Sequence, residues 1–272
     1  MLENLNFQNF AIALLLTLIA GLSSGIGSLL IFSSKPKNNR MLSWALGLSA
    51  GVMIYLSFME MLPESIETLK EHFEGNIGGW LGLASFFAGI LFIAIIDRLI
   101  PEGKNPHSFK AHSHTDTPTT PENNHLQRQG ILLALAIAIH NFPEGMAMFV
   151  SALDSIEIAL PIIVAISIHN IPEGMAISAP IYHATGKKSK ALLYSMLSGL
   201  AEPAGALIGG LLLLPFWTDK FTGFLVAAIA GIMVYISFDE LLPSSHSTGH
   251  HHTAVSGVIA GMAIMAISLM IL

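Results

Sequence analysis

Long apolar runs separated by short polar stretches occupy the chain from one end to the other. A helix that spans a bilayer needs roughly 20 mostly apolar residues, and eight runs reach that length. They cover residues 8–32, 41–62, 78–100, 130–152, 156–180, 190–214, 221–242 and 254–272. The pattern predicts an all-α polytopic membrane protein with eight transmembrane helices, in which residues 1–272 form a single transmembrane domain.

Two internal repeats organise these helices. Residues 50–63 of helix 2 align without a gap with residues 230–243 of helix 7, and residues 21–24 of helix 1 align more weakly with residues 199–202 of helix 6. Helices 1–3 and 6–8 are therefore predicted to be copies of one unit. Each copy lies five helices further along the chain. Because five is an odd number, the copies cross the membrane in opposite directions, with helices 4 and 5 between the two units. An inverted 3+2+3 repeat of this kind is a common plan of secondary transporters.

The basic residues predict the orientation of the chain. Ten lysines and arginines lie in or beside the odd-numbered connections, whereas the even-numbered connections hold only Lys70 and Lys220. Cytoplasmic loops carry an excess of Lys and Arg. We therefore expect a multi-pass protein of the cell (plasma or inner) membrane, with both termini outside the cytoplasm and the His-rich loop at 101–129 inside it.

The second repeat is a short motif, His-Asn-x-Pro-Glu-Gly, that begins at His140 in helix 4 and again at His169 in helix 5. Residues three or four apart lie on one helix face, so each copy presents its polar side chains together. Glu202 adds a carboxylate in helix 6. A charge inside a bilayer costs about 2.5–3.5 kcal/mol on insertion scales, and these side chains suit divalent transition metals. The predicted metal ligands are His140, Asn141, Glu144, His169, Asn170, Glu173 and Glu202.

Two ions can be held by this set if Glu144 and Glu173 bridge them. An asparagine in such a helix can also serve only as a helix–helix contact, and that alternative stays open for each asparagine alone. Other polar residues are candidates for a metal path, although those at helix ends can simply face water or headgroups. The candidate path residues are Glu60, Glu64, Asp239, Glu240 and Ser24.

Histidines are frequent in two of the connections predicted to be cytoplasmic, those between helices 3 and 4 and between helices 7 and 8. His-rich tracts bind zinc weakly, but a poorly constrained linker is an alternative reading of both connections. The candidate loop ligands are His107, His112, His114, His125, His246, His250, His251 and His252.

Composition excludes several classes of function. Hydrophobic residues make up 53% of the chain and charged residues 11%, against about 45–50% and 25% in soluble domains. No cysteine is present, so disulfides and thiolate metal sites are excluded. No basic run indicates nucleic acid, and no phosphate-binding loop indicates ATP.

The paired motifs, the eight predicted helices and the His-rich connection resemble the ZIP family (zinc- and iron-regulated transporter-like proteins), and the compact length is similar to its bacterial zinc-uptake branch. The resemblance implies a transporter domain with a binuclear centre near the midplane. One site would contain His140, Glu144, His169 and Glu173, and the other Asn141, Glu144, Asn170, Glu173 and Glu202. Some relatives carry Gln-Asp where this chain has His169-Asn170, so the second site here has one carboxylate fewer.

The resemblance also implies uptake of zinc into the cytoplasm by alternating access, in a homodimer, with no cofactor beyond the transported metal. Iron(II), manganese, cobalt and cadmium are expected as further substrates.

An intramembrane metal-dependent hydrolase is the main alternative. It would need a zinc-activated water and a general base, and the motif is His-Asn-x-x-Glu rather than His-Glu-x-x-His. The many carboxylates and the repeat favour passage of metal over catalysis, so the protein is predicted not to be an enzyme. A metal-sensing receptor is a third possibility, but the sequence shows no output domain.

Overall fold

The structure, a computed structural model, describes residues 7–99, 122–210, 212 and 216–271. These residues form eight long helices and contain no strand. The helices are α1 (Phe7–Ile31), α2 (Asn39–His72), α3 (Ile77–Leu99), α4 (Glu122–Asp154), α5 (Ile156–Thr185), α6 (Lys188–Gly209), α7 (Asp219–Ser247) and α8 (His251–Ile271). Each is long and apolar enough to cross a membrane, which confirms the predicted fold class.

Two helices extend beyond their predicted ends. α2 continues to His72 instead of ending at residue 62, and α4 begins at Glu122 instead of residue 130. The end of the predicted 101–129 loop is therefore helical. Glu, Gln, Lys and Arg are good helix formers, so a helix can continue past the apolar part that spans the membrane. His107, His112 and His114 lie outside the residues that the structure describes. For His125 the structure describes the backbone but not the side chain.

The long repeat is visible as a shared irregularity in α2 and α7. Each helix contains one π-helical turn, at Ser57–Met61 and at Ser237–Leu241, 180 residues apart. In both turns the first serine donates a hydrogen bond to the carbonyl four residues earlier, at 2.7 and 2.8 Å. Pro63 and Pro243 follow the turns, and because proline lacks an N–H, one backbone hydrogen bond is missing at each of these positions.

The repeat is equally visible in how the helices pack. α2 packs along α8, and α3 packs along α7. A Cβ atom on Gly51 would lie 2.1 Å from the carbonyl oxygen of Val258, and one on Gly231 would lie 2.0 Å from that of Phe86. Gly51 in α2 and Gly231 in α7 occupy equivalent positions of the repeat, 180 residues apart. Their partners, Val258 in α8 and Phe86 in α3, lie on the other two helices that the repeat relates, so the two contacts correspond to each other. Small residues permit such close crossings in membranes.

The other four helices form a bundle that contains the polar interior. α4 and α5 pack along each other, α1 packs on α5, and α6 packs on α4. The buried histidines, asparagines and most of the buried glutamates of the described residues lie in this bundle. In contrast, α3 and α8 are largely exposed along their apolar length, as is expected of helices that face lipid.

Candidate metal centre

The two motifs face each other across the contact between α4 and α5. His140 Nε2 lies 3.0 Å from Glu173 Oε1, and His169 Nε2 lies 3.4 Å from Glu144 Oε2. Each histidine therefore contacts the glutamate of the other helix. All four side chains are almost completely buried, so neither the imidazoles nor the carboxylates have bulk water as an alternative partner.

α6 adds the third side of the centre. The helix is interrupted at Leu200, and its next segment begins immediately before Glu202, which is fully buried. The side-chain amide of Asn170 donates to Glu202 Oε1 and to the carbonyl oxygen of Ala20 at 2.9 Å. This asparagine thereby ties α5 to both α1 and α6.

The motif glycines bring the surrounding helices close to the centre. A Cβ atom on Gly145 would lie 2.1 Å from the carbonyl oxygen of Glu202, and one on Gly174 would lie 1.8 Å from that of Ser24. Both contacts involve main-chain atoms, which cannot rotate away as a side chain can. The two glycines therefore set the distance of α6 from α4 and of α1 from α5.

Buried polar atoms without a hydrogen-bond partner concentrate in this centre. Eight of the twelve such side-chain atoms in the described part of the chain belong to it: His140 Nδ1, Asn141 Oδ1, Glu144 Oε2, His169 Nδ1, His169 Nε2, Asn170 Oδ1, Glu173 Oε2 and Glu202 Oε2. A buried unsatisfied group costs about 1–3 kcal/mol. A divalent cation would satisfy several of these atoms at once, and the mixture of imidazole nitrogen with carboxylate and amide oxygen is one that zinc accepts.

The ligand atoms in the centre do not surround a common point, because each histidine lies against a glutamate of the other helix. A metal ion would have to enter between imidazole and carboxylate and replace the contacts of His140 with Glu173 and of His169 with Glu144. Because these contacts join α4 to α5, metal binding and the packing of the two helices are coupled.

A second polar group lies beside the centre, between α3 and α7. Asp97, Asp239 and Glu240 offer carboxylate oxygens that all lie within 4.8 Å of one another. The side chain of Tyr235 lies close to both aspartates. A cavity of about 30 Å³, large enough for one water, extends from the group to Ile139, the residue before the first motif histidine.

Sequence reasoning found Asp239 and Glu240 but missed Asp97. The available signal was a carboxylate in the last turn of an otherwise apolar helix, the same kind of signal that identified Glu202. Asp97 is followed by Arg98, a basic residue that was used only to predict the orientation of the chain.

The remaining candidate path residues lie in different surroundings. Glu60 is the repeat counterpart of Glu240, but it is exposed, as is Glu64, whereas Glu240 is buried. Ser24 is buried at the contact of α1 with α6, where its hydroxyl donates to the carbonyls of Gly21 at 2.9 Å and Ser195 at 3.1 Å. The proposal that these residues line a path stays a prediction.

The described loop histidines lie at the connection of α7 with α8. His246 is in the last turn of α7, His250 precedes α8, and His251 and His252 begin it. All four are at least partly accessible, and none lies in the buried centre.

Comparison with known proteins gives a consistent result along the whole chain. The family model described as "ZIP Zinc transporter" matches residues 8–269. The chain is 53% identical over 264 residues to the zinc transporter ZupT of Streptococcus mutans, covering 97% of this chain and 98% of that protein. It is 50% identical to the zinc transporters ZupT of Clostridium perfringens and of Campylobacter jejuni, over 278 and 285 residues, with 98% of each chain covered.

Proposed function

Because this chain belongs to the ZIP zinc transporter family, we propose that it carries zinc across the membrane through the centre between α4, α5 and α6. Members of this family are transporters rather than enzymes. The observation that supports this site most strongly is the concentration of unpaired imidazole, amide and carboxylate atoms inside an otherwise apolar bundle.

The proposed centre holds two metal positions. The first uses His140, Glu144, His169 and Glu173, and the second uses Asn141, Glu144, Asn170, Glu173 and Glu202. Glu144 and Glu173 contribute to both. Glu173 contacts His140 through Oε1 and has a buried Oε2 without a hydrogen-bond partner, whereas Glu144 Oε2, which lies 3.4 Å from His169, has no hydrogen bond. Asn170 donates to Glu202 through its amide nitrogen, and its Oδ1 has no hydrogen-bond partner, so the amide oxygen is available to the second position.

The proposed direction of transport is into the cytoplasm. The basic residues of the odd-numbered connections favour both termini outside and residues 101–129 inside. In that orientation Asp97, Asp239 and Glu240 lie on the cytoplasmic side of the centre, where carboxylates would attract an ion that leaves it. The exposed Glu60 and Glu64 would occupy the outer side.

The proposed substrates extend beyond zinc to iron(II), manganese, cobalt and cadmium, because nitrogen and oxygen ligands accept all of these ions. A homodimer, which the family resemblance implies, stays a prediction.

The proposal is tested with purified protein in liposomes that contain a zinc-sensitive dye. Saturable zinc entry that requires the protein is the expected result. The same preparation is assayed for metal-dependent hydrolysis of membrane peptides, because the hydrolase alternative predicts cleavage without zinc entry. Cleavage without flux would refute the proposed function.

His169→Ala is expected to discriminate between metals. The substitution removes an imidazole from the first position and leaves the oxygen ligands of the second. Zinc uptake should fall by about tenfold, a loss of roughly 1.4 kcal/mol, while manganese uptake should fall less because manganese favours oxygen ligands. Initial rates for both ions at fixed pH measure the effect. His72→Ala, which changes a histidine beside Asp219 outside the centre, should alter neither rate. Equal loss of both metals in His169→Ala would refute the ligand assignment.

Replacing residues 107–121 with a Gly/Ser linker of equal length is expected to leave most zinc uptake intact. The replaced segment ends before α4 begins at Glu122, and none of the residues of the buried centre belongs to it. Uptake is measured at matched amounts of protein in the membrane. Complete loss of uptake would show that the replaced segment is part of the transport path.

A further inference from the structure

The connection between α7 and α8 folds two histidines against each other. α7 ends at Ser247 and α8 begins at His251. Gly249 has φ +77°, a left-handed conformation that favours glycine, and its N–H donates to the carbonyl of His246 at 3.2 Å. The tight turn reverses the direction of the chain. As a result, the centroids of the His246 and His251 rings lie 4.8 Å apart.

The hydrogen bonding of His246 leaves one ring nitrogen ready to bind a metal. Its Nδ1 lies 2.7 Å from the carbonyl oxygen of Leu242. A carbonyl oxygen only accepts hydrogen bonds, so Nδ1 carries the proton and Nε2 of the neutral ring keeps its lone pair. Histidines that bind metals are commonly held in this way by a carbonyl on the other nitrogen.

The turn is also held in place by α2. Ser43 donates a hydrogen bond to the carbonyl of Ser245, and its hydroxyl lies 2.8 Å from that of Thr248. These contacts fix the end of α7 on both sides of His246. The separation of the two rings is therefore a property of the folded turn and not of an unconstrained His-rich tract.

We propose that His246 and His251 form a second, surface site for a borderline divalent transition metal ion such as zinc. Two imidazoles leave the remaining positions of a tetrahedral ion to water, which makes the bound ion exchangeable. His246 follows Glu240 by six residues on α7, about 9 Å along the helix, so the site lies beyond the acidic group formed by Asp97, Asp239 and Glu240. Its role as an acceptor of zinc that leaves the centre rests on the proposed function, whereas binding itself does not.

Histidine footprinting tests the site without relying on transport. The full chain, purified in detergent with a tag that contains no histidine, is treated with diethyl pyrocarbonate with and without zinc chloride, and modified peptides are quantified by mass spectrometry. Zinc should reduce modification of His246 and His251 several-fold, with a smaller effect on His252, whose ring lies 5.5 Å from that of His251, and none on His72, which lies beside Asp219 away from the turn. Magnesium should protect none of them, because it prefers oxygen ligands.

A reciprocal variant makes the test specific to the pair. In His246→Ala, zinc should no longer protect His251, whereas in His252→Ala the protection of both His246 and His251 should remain. Protection of His251 that persists in His246→Ala, equal protection of His252, or no protection by zinc would each overturn the proposal. Protection of the pair together with an absence of zinc flux in liposomes would refute the proposed function and leave this site standing.

Discussion

Replacing Glu144 or Glu173 with alanine is expected to reduce zinc uptake by about 100-fold or more. Each carboxylate contacts a histidine of the opposite helix, and each is assigned to both metal positions. Alanine removes a carboxylate ligand from both positions at once, and a hundredfold loss corresponds to about 2.8 kcal/mol of binding free energy. Initial rates of zinc uptake, at matched amounts of protein in the membrane, measure the loss.

Glu157→Ala is the matched control for these two substitutions. Glu157 lies in the first turn of α5, the helix that also carries Glu173, but its side chain is exposed and accepts a hydrogen bond from Ser155. Its removal should leave zinc uptake unchanged. Near-normal uptake by either Glu144→Ala or Glu173→Ala would contradict the bridging role of that carboxylate.

Gly145→Ala is expected to impair both transport and stability. The added Cβ would lie 2.1 Å from the main-chain carbonyl oxygen of Glu202, so α6 has to move away from α4 and take Glu202 with it. Overpacking of this kind costs typically about 1–3 kcal/mol. We expect a lower thermal unfolding temperature in detergent and a loss of most zinc uptake, although no proposed ligand is substituted.

Gly79→Ala provides a control with the same chemical change. Gly79 lies in α3, and the nearest atom to an added Cβ is Cε of the Lys70 side chain at 3.3 Å, which can move. Alanine also favours a helix over glycine by about 1 kcal/mol, so the unfolding temperature should stay the same or rise. Wild-type stability and uptake in Gly145→Ala would contradict the close packing of α4 and α6.

The sequence predicts most of the fold because a bilayer imposes strong constraints. Apolar length defines the eight spans, and polar residues such as His140 and Glu202 are conspicuous within them. The helix ends are predicted less well, because polar helix formers resemble loop residues, as at Glu122. Asp97 escaped notice because a carboxylate at the end of an apolar run is ordinary unless its neighbours in space are known.

Relations between distant helices are only partly readable from the sequence. The repeat of α2 and α7 is visible because their residues match, whereas Phe86 and Val258 are recognised as counterparts only by their contacts with Gly231 and Gly51. Similarly, the motif spacing groups the ligands of each helix but does not reveal that each histidine contacts the glutamate of the other helix. That arrangement depends on how α4 and α5 pack.

The central claim is that zinc binds between α4 and α5, and diffraction at the zinc absorption edge tests it most directly. In crystals grown with zinc, the anomalous signal locates each ion separately from those bound to surface histidines. We expect at least one ion in the buried centre, about 2.0–2.2 Å from nitrogen of His140 or His169 and oxygen of Glu144 or Glu173. Zinc found only at surface histidines, with Glu144 and Glu173 still paired to His169 and His140, would contradict it.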